Sequence, residues 1–137
     1  MITALDTNIL LDIFGADKKF GRASSEKLRR CIAEGAVVAC EIVWAETAAA
    51  FPAQDTFLAA MNTLGVEFSA INQEASLTGG LAWRQYRANG GKHERVAADF
   101  LIGAHALVQC DRLLTRNRGF HRKYFEGAPI IDPSSDQ

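Results

Sequence analysis

The chain has 137 residues, 48% hydrophobic and 23% charged, with a formal net charge of −1. This length allows one domain that buries about two-thirds of its unfolded surface. The balance excludes a disordered chain, and no apolar run approaches the roughly 20 residues of a membrane span. A near-neutral average also excludes a uniformly basic nucleic-acid binder, so any such role must rest on a local patch.

The elements follow one another in an alternating order. Residues 2–5 form a short apolar run ending in Asp6-Thr7-Asn8, which predicts a buried strand and then a helix start. A helix is expected over 24–34, where Leu28, Cys31 and Ile32 recur at helical spacing and Gly35 stops it; 36–39 is a second buried strand. Helices are predicted over 41–51, stopped by Pro52, and over 53–64, closed by Gly65. A third strand is expected over 66–71 and a helix over 72–88, with Gly79-Gly80 as its weak point. After a loop at 89–91 comes a strongly apolar helix over 96–110, a strand over 112–115 and another over 128–131. Strands alternating with helices predict a single domain over 1–137, a three-layer α/β/α sandwich around a mostly parallel sheet.

Ligands of open parallel sheets collect beyond the carboxyl ends of the strands, and the chain delivers carboxylates there. Asp6 follows the first strand directly, and Glu46 lies in the helix after the second. Asp99 sits in the most apolar helix, where an unpartnered carboxylate is costly and needs either a proton or a cation. Arg95, four residues earlier, is the ordinary ion-pair partner; a cation shared with Asp6 and Glu46 is the alternative. Clustered carboxylates without imidazole or thiolate favour Mg²⁺ or Mn²⁺ over Zn²⁺, a chemistry suited to activating water for attack on a phosphodiester. Asp12 is expected to be a capping or surface carboxylate. Glu41 is expected to offset a helix dipole; five residues from Glu46, it points about 140° away.

The segment from Arg112 to Lys123 holds Arg112, Arg116, Arg118, Arg122, Lys123 and His121 with no acid, a patch able to hold phosphates. A second stretch with Arg84, Arg87, Lys92 and His93 reads equally as a solvated helix face. Tyr124 and Phe125 are expected in the core rather than stacked on bases, and His105 is expected to be packed. Cys31, Cys40 and Cys110 lack C-x-x-C spacing, which predicts reduced thiols in a cytoplasmic protein, and the residues before Asp6 lack the positive region of a signal peptide.

Four segments together resemble the signatures of PIN-domain ribonucleases, and most of all the VapC toxins of type II toxin–antitoxin pairs. They are Leu5-Asp6-Thr7-Asn8-Ile9-Leu10, Glu41-Ile42-Val43-Trp44-Ala45-Glu46, Asp99-Phe100-Leu101-Ile102-Gly103-Ala104-His105-Ala106 and Leu114-Thr115-Arg116-Asn117-Arg118-Gly119-Phe120. The resemblance implies Mg²⁺- or Mn²⁺-dependent endoribonuclease activity, homodimerisation, an RNA substrate and a cognate antitoxin. It implies Asp6, Glu46 and Asp99 as the catalytic metal site, with Thr7 and Thr115 as supporting hydroxyls. Arg116, Arg118, Arg122 and Lys123 are the expected RNA-phosphate contacts. Asn117 departs from the pattern, standing where related sequences often carry a fourth acid, which favours one metal over two. Cys40 replaces a frequent serine or threonine helix cap, and a thiol caps poorly. Two alternatives are a PIN-like module that binds RNA or protein without cutting and a metal-dependent phosphatase. Against the latter, Asn8 stands where an aspartyl-nucleophile enzyme usually needs its second Asp.

Overall fold

The computed structural model describes residues 1–91 and 96–134. Five strands, β1 (Ile2–Leu5), β2 (Ala36–Ala39), β3 (Val66–Phe68), β4 (Arg112–Leu114) and β5 (Ile130–Ile131), form one sheet in the order β3-β2-β1-β4-β5. Every neighbouring pair is parallel, with Ala4 opposite Val38 on one side and Leu113 on the other. The central strands are apolar at successive positions because both faces are covered: Ala4, Leu5, Val37, Val38, Leu113 and Leu114 are all buried. The expected α/β/α sandwich with a parallel sheet is what forms.

The helices are α1 (Thr7–Phe14), α2 (Gly21–Glu34), α3 (Glu41–Ala48), α4 (Gln54–Leu64), α5 (Gln73–Ala88), α6 (Ala97–Gln109) and α7 (Arg118–Tyr124). The main core joins the sheet to α1 to α4 and, through Ile102 and Ala106, to α6. A second cluster joins α5, α6 and α7 through Ala75, Ala82, Phe100, Ala104 and Phe125. The glycine pair in α5 does not interrupt it. A Cβ on Gly79 would lie 3.1 Å from the Phe100 carbonyl oxygen and 3.3 Å from Ala104 Cβ, so this glycine lets α5 lie close against α6.

Several boundaries differ from expectation. β3 ends at Phe68 rather than at 71, because the chain then turns, with Ile71 N–H donating to Glu41 Oε1 at 2.9 Å. Glu41 therefore ties the β3–α5 connection as well as sitting in the first turn of α3. Between the strands expected over 112–115 and 128–131, where no helix is predicted, lies α7, whose Phe120, Tyr124 and Phe125 pack inward with Phe100 and Tyr86. Tyr124 and Phe125 are core residues, and His105 is buried with Nε2 3.0 Å from Ser69 Oγ, as a packed histidine should be. The three cysteines are free; burial raises the Cys40 thiol, and it pushes Cys110 up to about 11. Among the described residues no helix is long and apolar enough to cross a membrane.

Candidate active site

Where the strand order reverses, the carboxyl ends of β1 and β4 lie side by side, the place where open α/β sheets bind ligands. Asp6 N–H donates to the Leu114 carbonyl at 3.0 Å, extending that pairing one step past Leu5. Asp6 then becomes the N-cap of α1, its Oδ1 accepting Thr7 N–H at 2.7 Å. The strand end and the helix start fix this carboxylate together, and only 7% of the residue is exposed.

The second oxygen, Oδ2, faces β4. It accepts the Thr115 hydroxyl at 2.7 Å and the Asn8 amide at 3.4 Å, and His121 Nε2 lies 3.5 Å away. Thr115 Oγ1 in turn accepts Asn117 N–H at 2.9 Å, so the start of α7 is tied to Asp6 through one hydroxyl. Thr7 donates its hydroxyl to Glu46 Oε1 at 2.7 Å, which brings the α3 carboxylate to the same strand ends. Glu41 and Glu46 point apart, one to Ile71 and the other to Thr7, as their spacing requires.

Asp99 sits in the first turn of α6, where its carboxylate accepts Val96 N–H at 3.1 Å and offsets the helix dipole. It is half-buried rather than enclosed in apolar surroundings, since it lies at the helix start. At its other end α6 leads into Asp111, whose N–H donates to Ile2 O at the start of β1. One turn on from Asp99, a Cβ added to Gly103 would stand 2.9 Å from His121 Nδ1. Arg95, Lys92 and His93 lie outside the described residues. The structure thus links Asp6 directly to Thr115 and His121, and Glu46 to Thr7, while Asp99 is held by its own helix. Among the described residues, no three His, Cys, Asp or Glu side chains stand close enough as they are to hold an ion between them.

The basic residues divide. Arg116 is engaged with Asp12 through Nε at 2.7 Å and Nη2 at 3.0 Å, so two of its five N–H donors are already committed within the protein. Asp12 is accordingly no surface carboxylate: it is 3% exposed and also accepts the Ser24 hydroxyl. Arg118 lies 3.9 Å from Asp132, and Arg122 and Lys123 are exposed on α7. Asn117 is exposed and makes no side-chain cap bond to α7.

In the sequence, His121 counts only as one more basic residue. The signal that could have found it is helical spacing: His121 and Phe125 are four apart, so an inward Phe125 carries His121 inward too.

The PIN-domain family model matches residues 3–126, which spans all four acid-bearing and hydroxyl-bearing segments described above. The chain belongs to the PIN-domain family. Among solved structures, this PIN domain is similar to VapBC2 from Rickettsia felis bound to a promoter DNA fragment, with 18% identity, TM-score 0.73, and 96% of this chain and 98% of that chain covered. It is also similar to VapBC-1 from nontypeable Haemophilus influenzae, with 21% identity, TM-score 0.73, and coverage of 98% and 100%. A toxin–antitoxin complex from Klebsiella pneumoniae is similar at 23% identity and TM-score 0.66, covering 96% and 97%. At these identities the likeness is one of fold. No curated protein matches the chain.

The PIN site's donors suit a hard divalent cation. Asp6 is an almost buried carboxylate in contact with an amide, a hydroxyl, a backbone N–H and, against the expectation of no imidazole near these acids, His121, while Glu46 is held by the Thr7 hydroxyl. Oxygen ligands of this kind favour Mg²⁺ or Mn²⁺.

Proposed function

We propose that the protein is a metal-dependent endoribonuclease and the toxin of a type II toxin–antitoxin pair. The observation that carries this reading is the Asp6 carboxylate, buried at the switch point of a PIN fold with Glu46 joined to it across Thr7. Asp6, Glu46 and Asp99 would hold the Mg²⁺ or Mn²⁺ ion, Asp99 by leaving the Val96 N–H. When bound, that ion supplies positive charge among the carboxylates and activates water toward an RNA phosphodiester.

The protein's own side chains orient and bind. Thr115 and Thr7 keep Asp6 and Glu46 from turning to solvent. Exposed Arg122 and Lys123, with Arg118, form the positive surface that offsets the acidic centre's repulsion of a polyanion. The toxin reading is supported by structural neighbours that include a toxin–antitoxin complex, and a cognate antitoxin and a cytoplasmic location are part of the proposal. Homodimerisation would cover Leu77 and Leu81, which are 64% and 58% exposed one turn apart on α5.

The test is incubation of the purified chain with labelled RNA in Mg²⁺, in Mn²⁺ or in chelator, beside Asp6→Asn. Internal cleavage is expected with either metal and is absent with chelator or Asp6→Asn. Cleavage by Asp6→Asn at the parent rate sinks the site assignment. Release of phosphate from a monoester without RNA cleavage returns the phosphatase alternative.

A further inference from the structure

The fourth acid that the fold's signature segment lacks at Asn117 has a neighbour in space that is not an acid. His121 N–H donates to Asn117 O at 3.2 Å, one helical turn on. Its side chain is only 3% exposed and reaches back to Asp6 with Nε2 3.5 Å from Oδ2. The imidazole is held in place on several sides. Phe120 meets it edge-on with centroids 4.9 Å apart, and Phe125 lies tilted at 6.1 Å. The slot exists because residue 103 is glycine: a Cβ there would stand 2.3 Å from Phe125 Cε2 and 2.9 Å from His121 Nδ1.

Nδ1 is buried without a hydrogen-bond partner. An apolar side chain in this slot would leave no orphaned nitrogen, so packing alone does not explain the histidine. The arrangement is explained by the other nitrogen. With a proton on Nε2, the N–H faces Asp6, while Nδ1 faces Gly103, where it finds no partner.

We propose that His121 is a positioning residue for Asp6, its Nε2 turned to Oδ2 as an N–H donor with no fourth acid beside it, so that the site takes one divalent cation per chain. This inference rests on the metal-dependent reading above. Hydrogen-bonded partners behind a ligating carboxylate fix its orientation and raise metal affinity. Thr115 and His121 converge on the same Oδ2, which fixes the direction in which the remaining lone pairs of Asp6 point. With an imidazole and an exposed amide where a fourth anion would be, the site lacks the negative charge that a second dication needs.

The test is titration with Mn²⁺, following free ion by electron paramagnetic resonance, for the parent chain, His121→Leu, His121→Gln and Asp6→Asn. Expected are one Mn²⁺ per parent chain, affinity ten- to a hundredfold weaker in His121→Leu, recovery in His121→Gln, which keeps a donor, and loss in Asp6→Asn. Undiminished affinity in His121→Leu beside loss in Asp6→Asn overturns this inference and leaves the metal site standing. Undiminished affinity in Asp6→Asn overturns both. Two ions per parent chain overturn the single-cation claim. If His121→Leu does not fold, long-range nitrogen–proton NMR of the parent decides, since it reads which ring nitrogen carries the proton. A protonated Nε2 is expected, and a bare Nε2 overturns the proposal.

Discussion

Arg116 and Asp12 form a two-point ion pair, with Nε and Nη2 at 2.7 and 3.0 Å from the two carboxylate oxygens, and the same guanidinium lies 3.9 Å above the Phe20 ring. The pair clamps the segment after β4 onto α1 and α2, immediately beside the active site. Asp12→Ala would leave the guanidinium without its anion in a partly buried place. A loss of about 2 kcal/mol is expected, below the value for a fully buried pair because the arginine is 30% exposed. Arg116→Lys should recover little of the pair's contribution, since an ammonium cannot make the forked contact. Urea unfolding measures both; a parent-like midpoint for Asp12→Ala would show that the clamp contributes nothing.

Thr115 is fully buried and its hydroxyl donates to Asp6 while accepting from Asn117. Thr115→Val keeps the shape and removes both bonds. RNA cleavage should fall about ten- to a hundredfold with stability reduced by only about 1 kcal/mol. Cleavage rates compared at equal folded fraction separate the two effects, and an unchanged rate would remove Thr115 from the site.

Gly103→Ala should be among the most damaging small substitutions. Its Cβ would fall 2.3 Å from the Phe125 ring, which is itself 2% exposed and cannot swing out freely. Overpacking of this kind costs about 1–3 kcal/mol and would undock α7 first. Amide exchange should accelerate over Arg118–Tyr124 before it does in β1 or β2. Uniform exchange throughout the chain contradicts this.

Burial lowers His105 below its ordinary 6.5, with Glu41 pulling weakly the other way. The folded protein therefore keeps His105 neutral where the unfolded chain binds a proton. This contribution to stability is complete above about pH 6.5 and is lost as pH falls from there through the lowered folded value, by at most about 1.4 kcal/mol per pH unit. His105→Gln, which can still bond Ser69, should flatten the difference in unfolding free energy between about pH 7.5 and about pH 5.5. Equal slopes in variant and parent would count against a neutral buried His105.

Arg122→Ala with Lys123→Ala should raise KM for RNA while leaving kcat nearly unchanged, because both residues are exposed on α7 and make no contact with Asp6. Each RNA phosphate that is no longer neutralised should lessen the salt dependence of binding by about 0.7 in the log–log slope for a single strand. Fluorescence anisotropy at several salt concentrations reads this directly, and an unaltered slope would place the RNA path elsewhere.

The parts legible in the sequence are those written in local pattern. Residues 2–5 and 36–39 announce buried strands because every side chain but Thr3 is apolar, and Asp6 is conspicuous because it ends such a run. Helix α7 is hidden because its charges dominate a short segment, although Phe120, Tyr124 and Phe125 hold it in the second core. Asp12 reads as a surface acid because its neutralising partner lies 104 residues away. Arg116 reads as free for the same reason.

The chain's own pattern decides which residues face inward and that strands and helices alternate, since period and burial are properties of neighbours along the backbone. From this follow the parallel sheet, its layers and the position of Asp6 at a strand end. Which side chain meets Asp6 is another matter. Strand order brings β4 beside β1, and the docking of α7 over Gly103 turns His121 rather than Asn117 toward the carboxylate. Those pairings join residues about a hundred positions apart, so only close packing in three dimensions selects them.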